Sequence, residues 1–563
     1  MVVLGVADNH DAGAALVVGG ELVAAVGQER LDRIKNSGAF PAEAIQSVLQ
    51  LGGITPRDID QIAIGTTFTP AGILRWFRPF HHQLKAESSQ FSYLLHLYIL
   101  YQVALKFGHL TRLEEFISLP ALQREFRRCG VKAPVTFVDH HTSHAATAYY
   151  SAGAEPALVV TLDAMGDGVS VTVHRGEGGK LHPLYQQSGL SAINTLYSRV
   201  TEWLGFIPLR HEGKITGLAA YAPPPPKLVA HFKEKLHFVG PGFSRENYLR
   251  RANKNDPWHH YLGRYTREEI AASVQKNLEV EVCAFIRYWM EKTGLRRVAT
   301  AGGVFANVKL NQRIAEIPGV ESLFIYPNMS DGGLAAGGAM VVAGVKPGSL
   351  AHVYLGNDIS DHDARTALER AGLNYTRPVD VEGEVARLLA EGKVVARAAG
   401  RMEWGPRALG NRSILYKPDD ASINVWLNKH LKRTEFMPFA PSTVWEGAET
   451  RFKGITPGKN SARFMTVCFD ATDTMRSRCP GVIHVDGTAR PQLVRQQDNP
   501  PFHHLLTRFG ELTGEPTVIN TSFNMHEEPI VATAGDAVRA YQAAQLDALQ
   551  VGSYLTVRDV MVR

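Results

Sequence analysis

Apolar and polar positions alternate through the first thirty residues, and glycine turns break the alternation. Val2–Ala7 reads as a strand, Asn9–Gly13 as a turn, Ala14–Val18 as a second strand, and Gly19–Gly20 leads into Glu21–Val26. The same order returns at Ala157–Ala164, a turn at Met165–Gly168, Val169–His174, a glycine-rich turn and Lys180–Gln187. Asp8 stands five residues before Gly13, and Asp163 stands five before Gly168. Two such copies predict a duplicated α/β architecture with a cleft between its halves. The competing reading is coincidence, since glycine-rich hairpins are common. Paired hairpins of this kind suit phosphates through their turn amides, and a metal or water through their aspartates.

Helical spacing takes over between the hairpins. Pro41–Leu51 opens on proline and stops at Gly52–Gly53, and Thr266–Lys292 begins with a Thr-Arg-Glu-Glu capping box. The most apolar run, Tyr93–Phe107, contains His96, Gln102 and Lys106. It is too short and polar to span a bilayer and reads as a buried helix. The pattern loosens over 342–358, after which a helix at Asp361–Ala371 begins a new section. Strand-like runs follow there in VVARAAG, ILYKP, FMTVCF and PTVIN. We expect two domains, 1–355 and 375–563, joined through the stretch between 350 and 375.

Composition narrows the class. The 563 residues exceed one hydrophobic core, and 45% hydrophobic with 20% charged residues is ordinary for a globular protein. The 60 Lys+Arg against 55 Asp+Glu leave +5, with no basic tail, so bulk nucleic-acid binding is not expected. Cys129, Cys283, Cys468 and Cys479 form no CxxC pair, which fits a reducing cytoplasm. The N-terminus has no signal-peptide pattern. Phosphate-loop, dinucleotide and nucleophile-elbow motifs do not occur in the right context.

The sharpest chemical signal is Asp139-His140-His141-Thr142-Ser143-His144 after the strand-like PVTFV. On a helix, His140 and His144 share one face and can share a cation, or they can be core and capping residues. Asp331, in LFIYPNMSDGGLAAGGA, offers a third ligand or an N-cap. Gly302 and Gly303, before Asn307, leave room for a ribose or adenine, or merely start a helix. The segment His211–Leu218, with Lys214 and Gly217, reads as a polar loop that is either a site or a solvated turn. Lys35 is either surface charge or an anion contact.

The C-terminal part has the character of an anion cradle. Arg407 and Arg412 flank the turns of EWGPRALGNRS, followed by Lys432, Arg433, Arg490, and then Asn520, Ser522 and Asn524 in NTSFN. Arginine forks beside Gly/Pro turns suit phosphate oxygens, although each alone also reads as surface charge.

Together DHHTSHAA, HEGKITGLAAYA, GGVFAN, SDGGLAAGGA, EWGPRALGNRSI, FMPFAP, DGTARPQ and NTSFN give the chain a resemblance to ATP-dependent O-carbamoyltransferases of antibiotic and nodulation-factor biosynthesis. The resemblance covers essentially the whole length. It implies an actin/sugar-kinase-like N-terminal domain followed by a YrdC-like α/β domain. It implies that ATP, with Mg, and carbamoyl phosphate give carbamoyl-adenylate in the second domain. The first domain would then move the carbamoyl group to a hydroxyl of a small natural product.

By the same resemblance, His140, His144 and Asp331 would hold Fe(II) or another divalent transition metal. His10 would be the general base, with Asp8 and Lys35 assisting. Asp163, Gly166, Asp167, Lys214, Gly217, Gly302, Gly303 and Asn307 would border the adenylate. Arg407, Arg412, Lys432, Arg433, Arg490, Asn520, Ser522 and Asn524 would bind carbamoyl phosphate and ATP. The acceptor pocket is expected along Thr67–Glu115. Neither a nucleic-acid nor a membrane partner is implied, and a homodimer is compatible. Met437, where the family usually has arginine, and Met525–Glu527, without the usual glycine, depart from its pattern. The competing readings are a tRNA-modifying carbamoyl or threonylcarbamoyl transferase and a non-enzymatic, ATP-binding, actin-like scaffold.

Overall fold

The computed structural model describes residues 1–77, 93–244, 257–348, 350–431, 436 and 438–558. The chain divides into two compact units. Unit 1 comprises Met1–Gln28 and Asn36–Leu350, and unit 2 comprises Glu29–Lys35 and Ala351–Arg563.

Unit 1 is built on two five-stranded sheets. The first contains β1 (Val2–Ala7), β2 (Gly13–Val18), β3 (Glu21–Gly27), β4 (Gln61–Ile64) and β5 (Val135–Phe137), in the order β3-β2-β1-β4-β5. The second contains β6 (Ala157–Gly166), β7 (Val169–Glu177), β8 (Lys180–Ser188), β9 (Arg297–Ala301) and β10 (Ser322–Ile325), in the order β8-β7-β6-β9-β10. Both sheets pair an antiparallel three-strand meander with two parallel strands, in matching order. This is the duplication read from the hairpins, in two mixed α/β sheets of matching order.

One small-residue helix, Leu334–Ala343, packs against the first sheet and the histidine-bearing helix. An added Cβ at Gly337 would lie 2.0 Å from Ser143 O, and one at Gly5 would lie 1.9 Å from Ala335 O. Only glycine permits backbones this close. The contact draws Asp331, just upstream, toward the helix His140–Ala152. That helix is N-capped by Asp139, whose carboxylate accepts from Thr142 N, and it ends at Gly153 with φ 67°. The long Arg267–Thr293 helix has the expected reciprocal capping box between Thr266 and Glu269.

Tyr93–Phe107 is a helix, but it is not buried. Over residues 97–107, whose burial is described, Leu97, Leu100, Tyr101 and Phe107 are exposed, while Gln102 and Leu105 face inward. Among the described residues, no helix is long and apolar enough to cross a membrane.

Unit 2 centres on a seven-stranded mixed sheet. Its strands are β11 (Val395–Ala398), β12 (Arg412–Tyr416), β13 (Ala440–Val444), β16 (Gln492–Val494), β17 (Thr517–Ser522), β18 (Ala548–Val551) and β19 (Tyr554–Val557). They run in the order β16-β13-β17-β12-β11-β18-β19, while β14 (Phe469–Asp470) pairs separately with β15 (Thr488–Ala489). FMTVCF is therefore mostly not a strand: Ser461–Phe464 is a 3-10 turn and only Phe469 enters β14. A continuous apolar run marks burial without fixing a period. Glu29–Lys35 is held inside this unit. Arg30 donates to Gly405 O, and Arg33 donates to Pro529 O and Ile530 O.

Candidate active site

Each hairpin of unit 1 carries its aspartate at the end of the first strand, and their surroundings differ. Asp8 is fully buried and faces Arg75, whose Nε and Nη2 each lie 3.1 Å from one carboxylate oxygen. Arg75 also donates to Thr67 O and Ser118 Oγ. The His10 ring faces two other carboxylates, Asp331 with Oδ2 3.3 Å from Nδ1 and Asp11 with Oδ2 3.8 Å from Nε2.

Asp163 joins a different group. Its Oδ2 lies 3.1 Å from His140 Nε2 and 3.3 Å from His144 Nε2, while Asp331 Oδ1 lies 3.6 Å from each of them. One ligand atom from each of these four residues falls within 4.8 Å of the others, and all four residues are buried. Helix spacing explains the histidines: positions four apart stack on one face. Asp331 has no capping role, since no side chain caps the turn it opens or the helix after it. The Nδ1 atoms of His140 and His144 are buried without a hydrogen-bond partner.

The electrostatics follow from this convergence. Burial alone would lower the His140 pKa, but Asp331 and Asp163 outweigh it and raise the pKa to about 9. Burial would raise Asp163, yet hydrogen bonds from both imidazoles hold it well below the usual carboxylate range. His10 is also raised: burial opposes the shift, and Asp331, Asp11 and Asp163 drive it. His141 lies outside the cluster, between Thr161 Oγ1 and Val169 O. Burial and its two histidine neighbours depress it to about 3. Two imidazole nitrogens and two carboxylate oxygens in a buried site fit a divalent transition metal.

Several expected nucleotide residues have other local duties. Gly166 is the seat of the His140 ring, since an added Cβ would lie 2.1 Å from it. Asp167 accepts from Thr66 Oγ1, Thr67 N, Phe68 N, Thr69 Oγ1 and His140 N, so its oxygens are occupied by the fold. Lys214 and Gly217 are buried in a helix, Glu212–Leu218, where a loop was expected, and the Lys214 ammonium sits 5.9 Å above the Phe206 ring. Gly302 keeps its place as a backbone-approach glycine, with φ 107° and Leu162 O 2.2 Å from an added Cβ. Gly303 N donates to Asp163 Oδ1. Asn307 caps the helix Val308–Ala315 and donates to Gln275 Oε1.

The arginine region of unit 2 divides into inward and outward members. Arg412 is fully buried and donates to Gly400 O, Asn411 O and Asn357 O, so it braces its own loop. Burial lowers its pKa to about 10. Glu403 gathers the same loop, with Oε1 accepting from the N–H groups of Leu409, Asn411 and Arg412. Sequence reading missed this glutamate because its role is visible only once the loop has closed. Arg407 and Arg490 are half-buried, and Lys35 is exposed. Asn520 donates to Ser442 Oγ and Gln492 Oε1 and leaves its own Oδ1 buried without a partner. Ser522 follows on the same face of β17, and Asn524 closes a turn through Met525 O and Glu528 O. Lys432, Arg433 and Met437 lie outside the described residues.

The sheets and the buried His-Asp cluster define a carboxylate- and imidazole-lined α/β protein, and its sequence has known relatives. The family description Carbamoyltransferase N-terminus matches residues 2–340, and Carbamoyltransferase C-terminus matches residues 386–558. The chain belongs to the carbamoyltransferase family. Nodulation protein NolNO of Sinorhizobium fredii is 33% identical over 97% of this chain and 78% of that protein. Nodulation protein NolO of Bradyrhizobium diazoefficiens is 32% identical over 74% of this chain and 78% of that protein. Nodulation protein U of Sinorhizobium fredii is 26% identical over 95% and 96%, respectively.

Proposed function

We propose that this family member is an ATP-dependent O-carbamoyltransferase acting on a hydroxyl of a small, sugar-containing or antibiotic-like natural product. The observation that carries the reading is the convergence of His140, His144, Asp163 and Asp331 beside His10.

In this reading unit 2 is the YrdC-like activating domain. Water hydrolyses carbamoyl phosphate, the bond between its carbamoyl and phosphate groups breaking to give carbamate and inorganic phosphate, and a carbamate oxygen then attacks the α-phosphorus of Mg-ATP. Pyrophosphate leaves, and carbamoyl-adenylate remains. The half-buried Arg407 and Arg490, with Asn520 Oδ1 and Ser522, supply charge and hydrogen bonds to these anions. Arg412 acts indirectly, by holding the loop that carries Arg407.

Transfer takes place in unit 1. His140, His144, Asp163 and Asp331 hold the cation, Fe(II) being the expected one. When bound it supplies positive charge for the phosphate of the departing AMP. Gly302 and Gly303 let the adenylate approach the backbone. His10, oriented through Nδ1 by Asp331, takes the proton of the acceptor hydroxyl. The acceptor oxygen bonds to the carbamoyl carbon, that carbon's bond to the adenylate oxygen breaks, and AMP leaves.

The test incubates metal-loaded protein with ATP and carbamoyl phosphate, with and without a panel of polyols, aminoglycosides and macrolides. We expect pyrophosphate without acceptor, and AMP with a carbamate ester when the right acceptor is present. Arg490→Ala should stop pyrophosphate release, whereas His10→Ala should retain it and lose ester formation. Absence of pyrophosphate from the loaded wild type under all conditions would overturn the reading.

A further inference from the structure

The two carboxylates of the cluster divide their oxygens in the same manner but by different means. Asp163 turns Oδ2 to the imidazoles, while its Oδ1 accepts backbone N–H groups from Ala164 at 2.7 Å and Gly303 at 3.3 Å. Asp331 turns Oδ1 to the imidazoles, but its Oδ2 is held by a side chain. Asn9 Nδ2 donates to it at 2.8 Å, across 322 residues of sequence.

Asn9 is 2% exposed, and its own Oδ1 is buried without a partner. A buried polar atom left unsatisfied is costly, so the amide is placed for what Nδ2 does. The preceding residue, Asp8, is clamped by Arg75, which fixes the turn from which Asn9 reaches. The amide faces only one way: with its oxygen toward Asp331, two acceptors would confront each other.

The geometry points to Asn9 as a positioning residue of the metal centre. By tying down Oδ2 it makes Asp331 a one-oxygen ligand, and it keeps the second oxygen off the cation. A coordination position then stays open for an incoming phosphate oxygen. Without the amide, Oδ2 is left with the longer contact to His10 Nδ1, 3.3 Å away, and the Asp331 carboxylate can turn about its Cβ–Cγ bond to bring both oxygens to bear. This inference rests on the metal centre of the proposed function and adds to it a residue that touches no ion itself.

Full-length wild type and Asn9→Leu, which keeps the number and branching of the side-chain heavy atoms and removes the donor, are stripped with chelator and titrated with Co(II). Affinity and ligand-field absorption are read together. Loss of an outer hydrogen-bond partner typically costs about 10- to 100-fold in metal affinity, and that weakening is expected here with shifted visible bands. Cooperative thermal unfolding of the metal-free variant confirms that it is folded. Should Asn9→Leu not fold, Asn9→Ala, which demands no new volume, is held to the same two readouts. A folded variant that binds Co(II) within threefold of wild type and gives a superimposable spectrum would overturn the assignment of Asn9 alone. A wild type that binds no Co(II) would overturn the metal centre itself.

Discussion

Asp8 and Asp163 occupy the same place in two copies of one hairpin, yet they have opposite fates. Asp8 meets a guanidinium that neutralises it within the fold, and Arg75 spends its remaining donors on nearby oxygens. Asp163 meets two imidazoles whose Nε2 lone pairs can turn to a cation. Duplication supplied two equivalent carboxylates, and each acquired a different neighbour. A buried ion pair consumes its charges, whereas an imidazole–carboxylate cluster leaves them available to a ligand.

The contrast can be broken most decisively at Asp163. Asp163→Asn should abolish stoichiometric binding of Co(II) or Fe(II), measured by metal analysis after gel filtration, while Asp8→Asn retains it. Next in size, Asp8→Ala strands the buried Arg75 charge. It should lower unfolding free energy in urea by about 3–5 kcal/mol, and a loss below about 1 kcal/mol would mean that the pair is not structural.

Gly166→Ala pushes a methyl group into the His140 ring. It should cost about 1–3 kcal/mol and weaken metal binding as the ring is displaced. A further effect is one of pH. His140 is raised from its ordinary 6.5 to about 9 in the metal-free protein, so its contribution to stability is full below about pH 6.5 and fades as pH climbs through 9. Urea midpoints of the chelated protein should fall across that window, and those of chelated His140→Ala should fall less, since His10 is raised by the same carboxylates. Metal binding must displace the same proton, so apparent metal affinity should rise with pH over that range.

Much of unit 1 was legible because its signals are local. Two-residue alternation ending in glycine turns gave the strands, and the repeated Asp-to-Gly spacing gave the duplication. The His140–His144 spacing declared a shared face without tertiary knowledge. What escaped were properties of partners distant in sequence. The hairpin around Asp163 suits a metal or water, and by resemblance an adenylate, but nothing nearby in sequence reveals the two imidazoles beside it. The Tyr93–Phe107 helix looked buried because apolar content was read as burial, although much of its apolar face is turned to solvent.

Unit 2 shows the same limit more sharply. Arg407 and Arg412 share one motif and one residue type, but Arg412 points into its own loop and bonds three carbonyls. A Gly/Pro-rich turn requires donors to close it, so an arginine in the turn can serve either the loop or a ligand. Residue type alone does not distinguish these uses.

The brief early passage of the chain, Glu29–Lys35, through the second unit has a consequence for anyone dividing the molecule. A fragment beginning at residue 351 would lack Arg30 and Arg33, and the carbonyls of Gly405, Pro529 and Ile530 would lose their charged donors. A fragment ending at 350 would carry that segment with nothing to receive it. One cleavage therefore cannot yield two whole parts. The C-terminal piece expressed alone would need the missing peptide supplied in trans or grafted on.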